Sequence, residues 1–166
     1  EGEDAARLWL ANLVSNGVKI YDGNASVVRA VAYGEIDLGL TDTDDVLAGK
    51  ANSWPIEMAF EVADRPNARV SGLPSKGTLV IPNTVAKVRG GPNPNQSTRL
   101  INFILSAPTE RALAQSTSGN IPIREALAKE LKMTPIPTVA PVDSKALIDA
   151  LPKADALANE FFPIVK

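Results

Sequence analysis

The chain has 166 residues, 45% hydrophobic and 22% charged, a length and balance that allow a sizeable buried core. Nineteen acidic against seventeen basic residues leave a net charge of −2, without the field that would draw nucleic acid or an anionic membrane. It has no cysteine and no histidine, which excludes disulfides, thiolate and imidazole metal ligands, and the commonest general base. The first predicted element is a helix from Asp4 to Val14, with Leu8, Trp9, Leu10, Leu13 and Val14 on its apolar side, acids at its front and Asn16-Gly17 behind. Trp9 is expected in the core. Val18 to Tyr21 reads as a short strand closed by the turn pair Asp22-Gly23. Asn24 or Ser26 then caps a helix from Val27 to Tyr33, which Gly34 ends.

Ile36, Leu38 and Leu40 alternate with Asp37 and Gly39, the pattern of a strand, and Asp42 or Thr43 starts a helical turn through Leu47. Ile56, Met58, Phe60 and Val62 alternate in the same way. A loop from Asp64 to Lys76 leads to the apolar stretch Thr78 to Val88, where Pro82 favours an edge or crossing strand. Gly90 to Asn95 is a loop and helix start, followed by a helix through Leu100, Ile101, Phe103, Ile104 and Leu105 that Pro108 interrupts. Thr109 to Gln115 continues it, and a proline-rich connector from Thr134 to Pro141 precedes a final helix. Strand and helix alternation favours an α/β fold with some parallel pairing.

Three places carry candidate chemistry. Asp42, Asp44 and Asp45 put three carboxylates at a strand end, a donor set suited to a hard cation or an organic ammonium group. The same residues are equally ordinary as an N-cap and first-turn acids, where negative charge is stabilised by about 0.3–1 kcal/mol. Asn24 and Ser26 at a helix start can bind an anionic oxygen, or simply cap. Trp54 beside Pro55 can line a cleft or pack at its rim.

The segment from Asp22 to Asp45 resembles the ABC-transporter extracellular solute-binding proteins of the ferric-ion-binding type. In these a Gly-Asn turn opens a helix, Ala-Val-x-x-Gly-Glu closes it, and a strand delivers ligand groups at its end. Gly77 to Ala86, the Asn-Pro-Asn helix start and Ser118-Gly-Asn-Ile-Pro122 fit the same family in order and approximate spacing. The resemblance implies a type 2 periplasmic-binding-protein-like lobe, with a mixed sheet flanked by helices, a hinge strand and C-terminal helices. Residues 1–77 would form the second, ligand-cleft lobe, 78–90 the hinge or crossing strand, and 91–166 a helical part packing mainly on a first lobe. With no initiator Met, the chain reads as the C-terminal half of a longer protein whose N-terminal lobe is missing.

The resemblance further implies a non-enzymatic component of an ABC importer, periplasmic or extracellular and lipid-anchored in some full-length forms, that hands its ligand to a membrane permease. Asn24, Ser26, Asp42, Asp44 and Asp45 are then the ligand-binding residues, with Asp44 and Asp45 the metal ligands and Asn24 holding a small anion that accompanies the cation. Ferric-binding relatives carry two adjacent tyrosines where Asp44-Asp45 stand here, so the ligand is iron, another hard cation, or a small charged organic solute. The rival readings are a carboxylate-dependent hydrolase or phosphoryl-transfer enzyme, and a non-catalytic interaction module. No nucleophile motif, phosphate-binding loop or zinc-protease motif supports the enzyme. A chain lacking its first lobe is also expected to self-associate through uncovered apolar side chains such as Ile101, Phe103 and Ile104.

Overall fold

The computed structural model describes residues 2–61 and 77–163. The loop expected at 64–76 and Val62 of one expected strand lie outside the described residues. Among the described residues seven helices follow one another: α1 (Glu3–Ser15), α2 (Asn24–Ala32), α3 (Thr43–Ala51), α4 (Pro94–Ile104), α5 (Ala107–Ala114), α6 (Glu125–Glu130) and α7 (Ser144–Phe161).

The expected α/β fold with a mixed sheet is not what forms. Among the described residues no strand is present, and the sole ladder contact is an isolated parallel bridge between Thr78 and Val139. Its hydrogen bonds run from Thr78 N to Thr138 O at 2.8 Å and from Ala140 N to Thr78 O at 2.9 Å. The segments read as strands at 18–21, 36–40, 56–61 and 79–88 belong to no strand. Alternation of apolar residues records which side of a chain is to be covered, whereas a strand also needs a neighbour about 4.8 Å away to accept its N–H groups. At 56–61 the alternation survives without a sheet: Ile56, Met58 and Phe60 are half-buried while Glu57, Ala59 and Glu61 are exposed. At Leu38 and Leu40 it does not, and these side chains are 82% and 75% exposed.

The chain divides into two units. One comprises Glu1–Ile20, Phe60–Val80 and Ile136–Lys166, the other Tyr21–Ala59 and Ile81–Pro135. In the first unit, α1 packs on α7, and Arg7 grips both carboxylate oxygens of Glu160 at 2.7 and 2.9 Å. Leu157 is the buried residue of α7. Trp9, expected in the core, is exposed, because no residue of α1 is fully buried and its apolar side is only partly covered.

In the second unit, α2 and α3 pack face to face and bury Val28, Ala30, Val46 and Gly49. Burying a valine stabilises by about 1.5–3 kcal/mol, so this small contact dominates the local energetics. Gly49 is required at the crossing: a Cβ there would lie 2.7 Å from Ile56 Cδ1, 2.9 Å from Trp54 Cε3 and 3.2 Å from Val28 Cγ1. Further on, Ser106 caps α5 by accepting from Thr109 N, and Arg111 pairs with Glu130 through two bonds of 2.7 Å. Glu110 receives the N–H groups of Ile123 and Arg124 and pairs with the Arg124 guanidinium, clasping α5 to the start of α6.

Candidate functional site

The helix starts of α2 and α3 meet in the second unit, and the candidate residues gather there. Gly23, not Asn24 or Ser26, occupies the N-cap of α2, and neither side chain caps it. The Asn24 amide is therefore available to reach across, and it donates to Asp42 Oδ2. Thr41 Oγ1 donates in return to the Asn24 carbonyl at 3.2 Å. These two bonds fasten the segment before α3 to the first residue of α2. Sequence reading passed over Thr41; its position beside the N-cap of α3 was the available signal.

Asp42 holds the N-cap position of α3 with extended backbone angles, φ −92° and ψ 156°, yet its side chain makes no capping bond. Its carboxylate is engaged by Asn24 instead, so the simple capping reading fails at this residue. Asp44 and Asp45 follow on the first turn, as expected of acids facing the positive end of a helix. One carboxylate oxygen from each of Asp42, Asp44 and Asp45 falls within 4.8 Å of the others. Asp42 and Asp44 are exposed and Asp45 is half-buried. Burial raises the Asp45 pKa above the ordinary carboxylate value, and the negative charges of Asp44 and Asp42 add to that rise. The cluster thus lacks a counter-charge among its own members.

Ser26 stands apart from this group. Its backbone N–H donates to Gly23 O at 3.1 Å. Asp45 also lines a cavity of about 90 Å³, together with Arg29, Asn52 and Trp54 among others. Trp54 leans on Tyr33, ring centroids 6.2 Å apart and tilted by 47°.

In chemical terms the arrangement offers oxygen donors alone. Three carboxylates present up to six oxygens, one of which the Asn24 amide occupies, and the chain has neither a histidine nor a cysteine to join them. Such a set fits a hard cation and leaves coordination positions open to solvent or a second ligand.

No family model matches the chain, and no solved structure does. A relative named iron uptake protein A1, from Synechocystis sp., is 28% identical over 117 residues, which are 70% of this chain and 32% of that protein. The chain thus spans about a third of the length of the curated relative it matches. No helix among the described residues is long and apolar enough to cross a membrane.

Proposed function

We propose that this chain is the cation-holding part of a solute-binding protein that serves an ABC importer, and that its cargo is iron or another hard cation. The observation that carries the reading is the convergence of Asp42, Asp44 and Asp45 oxygens within 4.8 Å. Its kinship to a protein named for iron uptake supports iron as the first cargo to test. Asp44 and Asp45 are the principal ligands, Asp42 a third, and Asn24 sets the direction of Asp42. Ser26 and the Asn24 backbone, at the α2 start, serve a small accompanying anion.

In this reading the chain performs no covalent chemistry. Residues 1–77 contribute the ligand lobe, 78–90 the link, and 91–166 helices that pack on a first lobe supplied from outside these residues. That lobe completes the cation's coordination, closure excludes water, and a membrane permease receives the cargo on the periplasmic or extracellular face. Alone, the chain associates with a second copy through its exposed apolar side chains.

Calorimetric titration with Fe³⁺ supplied as its citrate complex, and separately with Ca²⁺, tests the site. Binding is expected for the wild type, with at least a roughly tenfold loss in the Asp44→Asn, Asp45→Asn double variant. Undiminished affinity in that variant, with its helical signal intact, removes the carboxylates from the site.

A further inference from the structure

We propose that Asn16 is a site of self-modification, its side-chain amide lost through a cyclic imide formed with the Gly17 nitrogen, and that the folded end of α1 controls when this happens. Asn16-Gly17 is the one Asn-Gly pair in the 166 residues, and both residues are exposed. Glycine matters at the second position because, lacking Cβ, it neither shields its own nitrogen nor restricts the backbone turn that ring closure needs. In the reaction the Gly17 nitrogen bonds to Asn16 Cγ, the Cγ–Nδ2 bond breaks, and ammonia leaves with the proton that the Gly17 nitrogen gives up. Water then opens the ring at either carbonyl, giving aspartate or an isoaspartate whose main chain runs through Cγ.

The folded cap opposes each part of that step. Val18 N donates to Leu13 O at 3.1 Å and Gly17 N to Val14 O at 3.0 Å, the paired bonds of a Schellman motif, with Gly17 at φ +72° in the left-handed region that favours glycine. The attacking nitrogen is therefore engaged. The leaving amide is engaged as well, since Asn16 Nδ2 donates to Asn12 O at 2.8 Å. Asn16 has ψ 7°, which eclipses the Gly17 nitrogen with the Asn16 nitrogen, whereas ring closure needs it eclipsed with Cβ. The reaction waits until the cap opens.

Opening depends on local stability, and α1 has little of it. No residue of the helix is fully buried, and helix ends with exposed hydrogen bonds open at the lowest free energies in a fold. Once formed, the product does not restore the cap. A carboxylate cannot donate to Asn12 O, and its charge meets the negative end of a helix whose last turn holds no basic residue. In the isoaspartate form the main chain gains a methylene, which breaks the register of the Schellman bonds. The modification thus runs one way, and each event leaves α1 with a frayed end.

Peptide mass mapping of the 166-residue chain, incubated at mildly alkaline pH both folded and in urea, tests the proposal. Conversion of amide to acid is expected at Asn16 in both samples, roughly tenfold slower in the folded chain, with the aspartate and isoaspartate peptides separated by retention. Gly17→Ala, measured in urea where the cap plays no part, is expected to slow conversion roughly tenfold or more. No conversion at Asn16 in the folded chain, within the time that completes it in urea, overturns the site. Equal rates in the two samples overturn control by the cap, and an undiminished rate in Gly17→Ala overturns the imide route. Asn16→Asp, which reproduces one product, is expected to lower the melting temperature by roughly 1–4 °C, and an unchanged transition overturns the loosening of α1.

Discussion

At the scale of single residues, the Asn24–Asp42 bond decides what the acid cluster can be. An aspartate at an N-cap ordinarily turns inward to the free N–H groups of its helix, worth about 1 kcal/mol. Here the Asn24 amide holds Asp42 Oδ2 instead. Asn24→Ala is therefore expected to release Asp42 to cap α3 and to withdraw it from the cluster. Cation affinity should fall about fivefold, close to 1 kcal/mol, while the melting temperature changes little because both residues are exposed. Paired calorimetric and thermal measurements on that variant separate the two effects. Asp45 carries the opposite signature to a stabilising acid. Its raised pKa means that the penalty it imposes is absent below the unfolded carboxylate range near pH 4 and grows as pH rises through the folded value. Asp45→Asn should raise the melting temperature at pH 7, bring no gain at pH 3, and weaken cation binding.

Elements show a different balance, because short helices with little buried surface depend on clasps at their ends. Glu110 on α5 accepts from Ile123 N and Arg124 N and pairs with Arg124, whose guanidinium also donates to Leu105 O at 2.8 Å. The bond from Arg124 holds the Glu110 carboxyl below the usual glutamate range, with the two backbone N–H groups contributing. Stability from a depressed carboxylate is complete above its unfolded pKa, about 4.3, and is lost as pH falls through the folded value. Glu110→Gln should thus cost about 1–2 kcal/mol at pH 7 and progressively less as the wild type protonates, a convergence visible in urea unfolding repeated across acid pH.

The helices were legible in the sequence and the sheet was not. Glu3–Ser15 announces itself through acids at its front, and both it and Asn24–Ala32 through a Gly behind and apolar residues at helical spacing. Those signals and the hydrogen bonds they predict lie within the same few residues. For Leu38, Leu40 or Ile81, the alternation specifies a covered side but not the chain that covers it, and among the described residues no strand pairs with them. The clustering of the three acids was readable for a related reason. Asp42, Asp44 and Asp45 are neighbours in sequence and had to be neighbours in space, whereas the Asn24 contact spans 18 residues and nothing local announces it.

At the scale of the whole molecule, the two units differ in how far along the chain their contacts reach. The α2–α3 pair closes over a short stretch, with Gly49, Trp54 and Val28 in one knot. Unit one joins segments from both ends of the sequence, and its Arg7–Glu160 pair links residues 153 positions apart. Closing a long loop costs entropy before its contacts return any, so topology orders the events of assembly. Pulse-labelled amide exchange during refolding should find α2 and α3 protected before α1 and α7. On a ribosome the difference becomes absolute: α2 and α3 can associate once synthesis has run about thirty to forty residues past α3, the length an exit tunnel hides. Arg7 must wait, exposed, until Glu160 has been made and has emerged, so the nascent chain carries α1 as an unclaimed amphipathic helix while the 153 positions that separate them are synthesised.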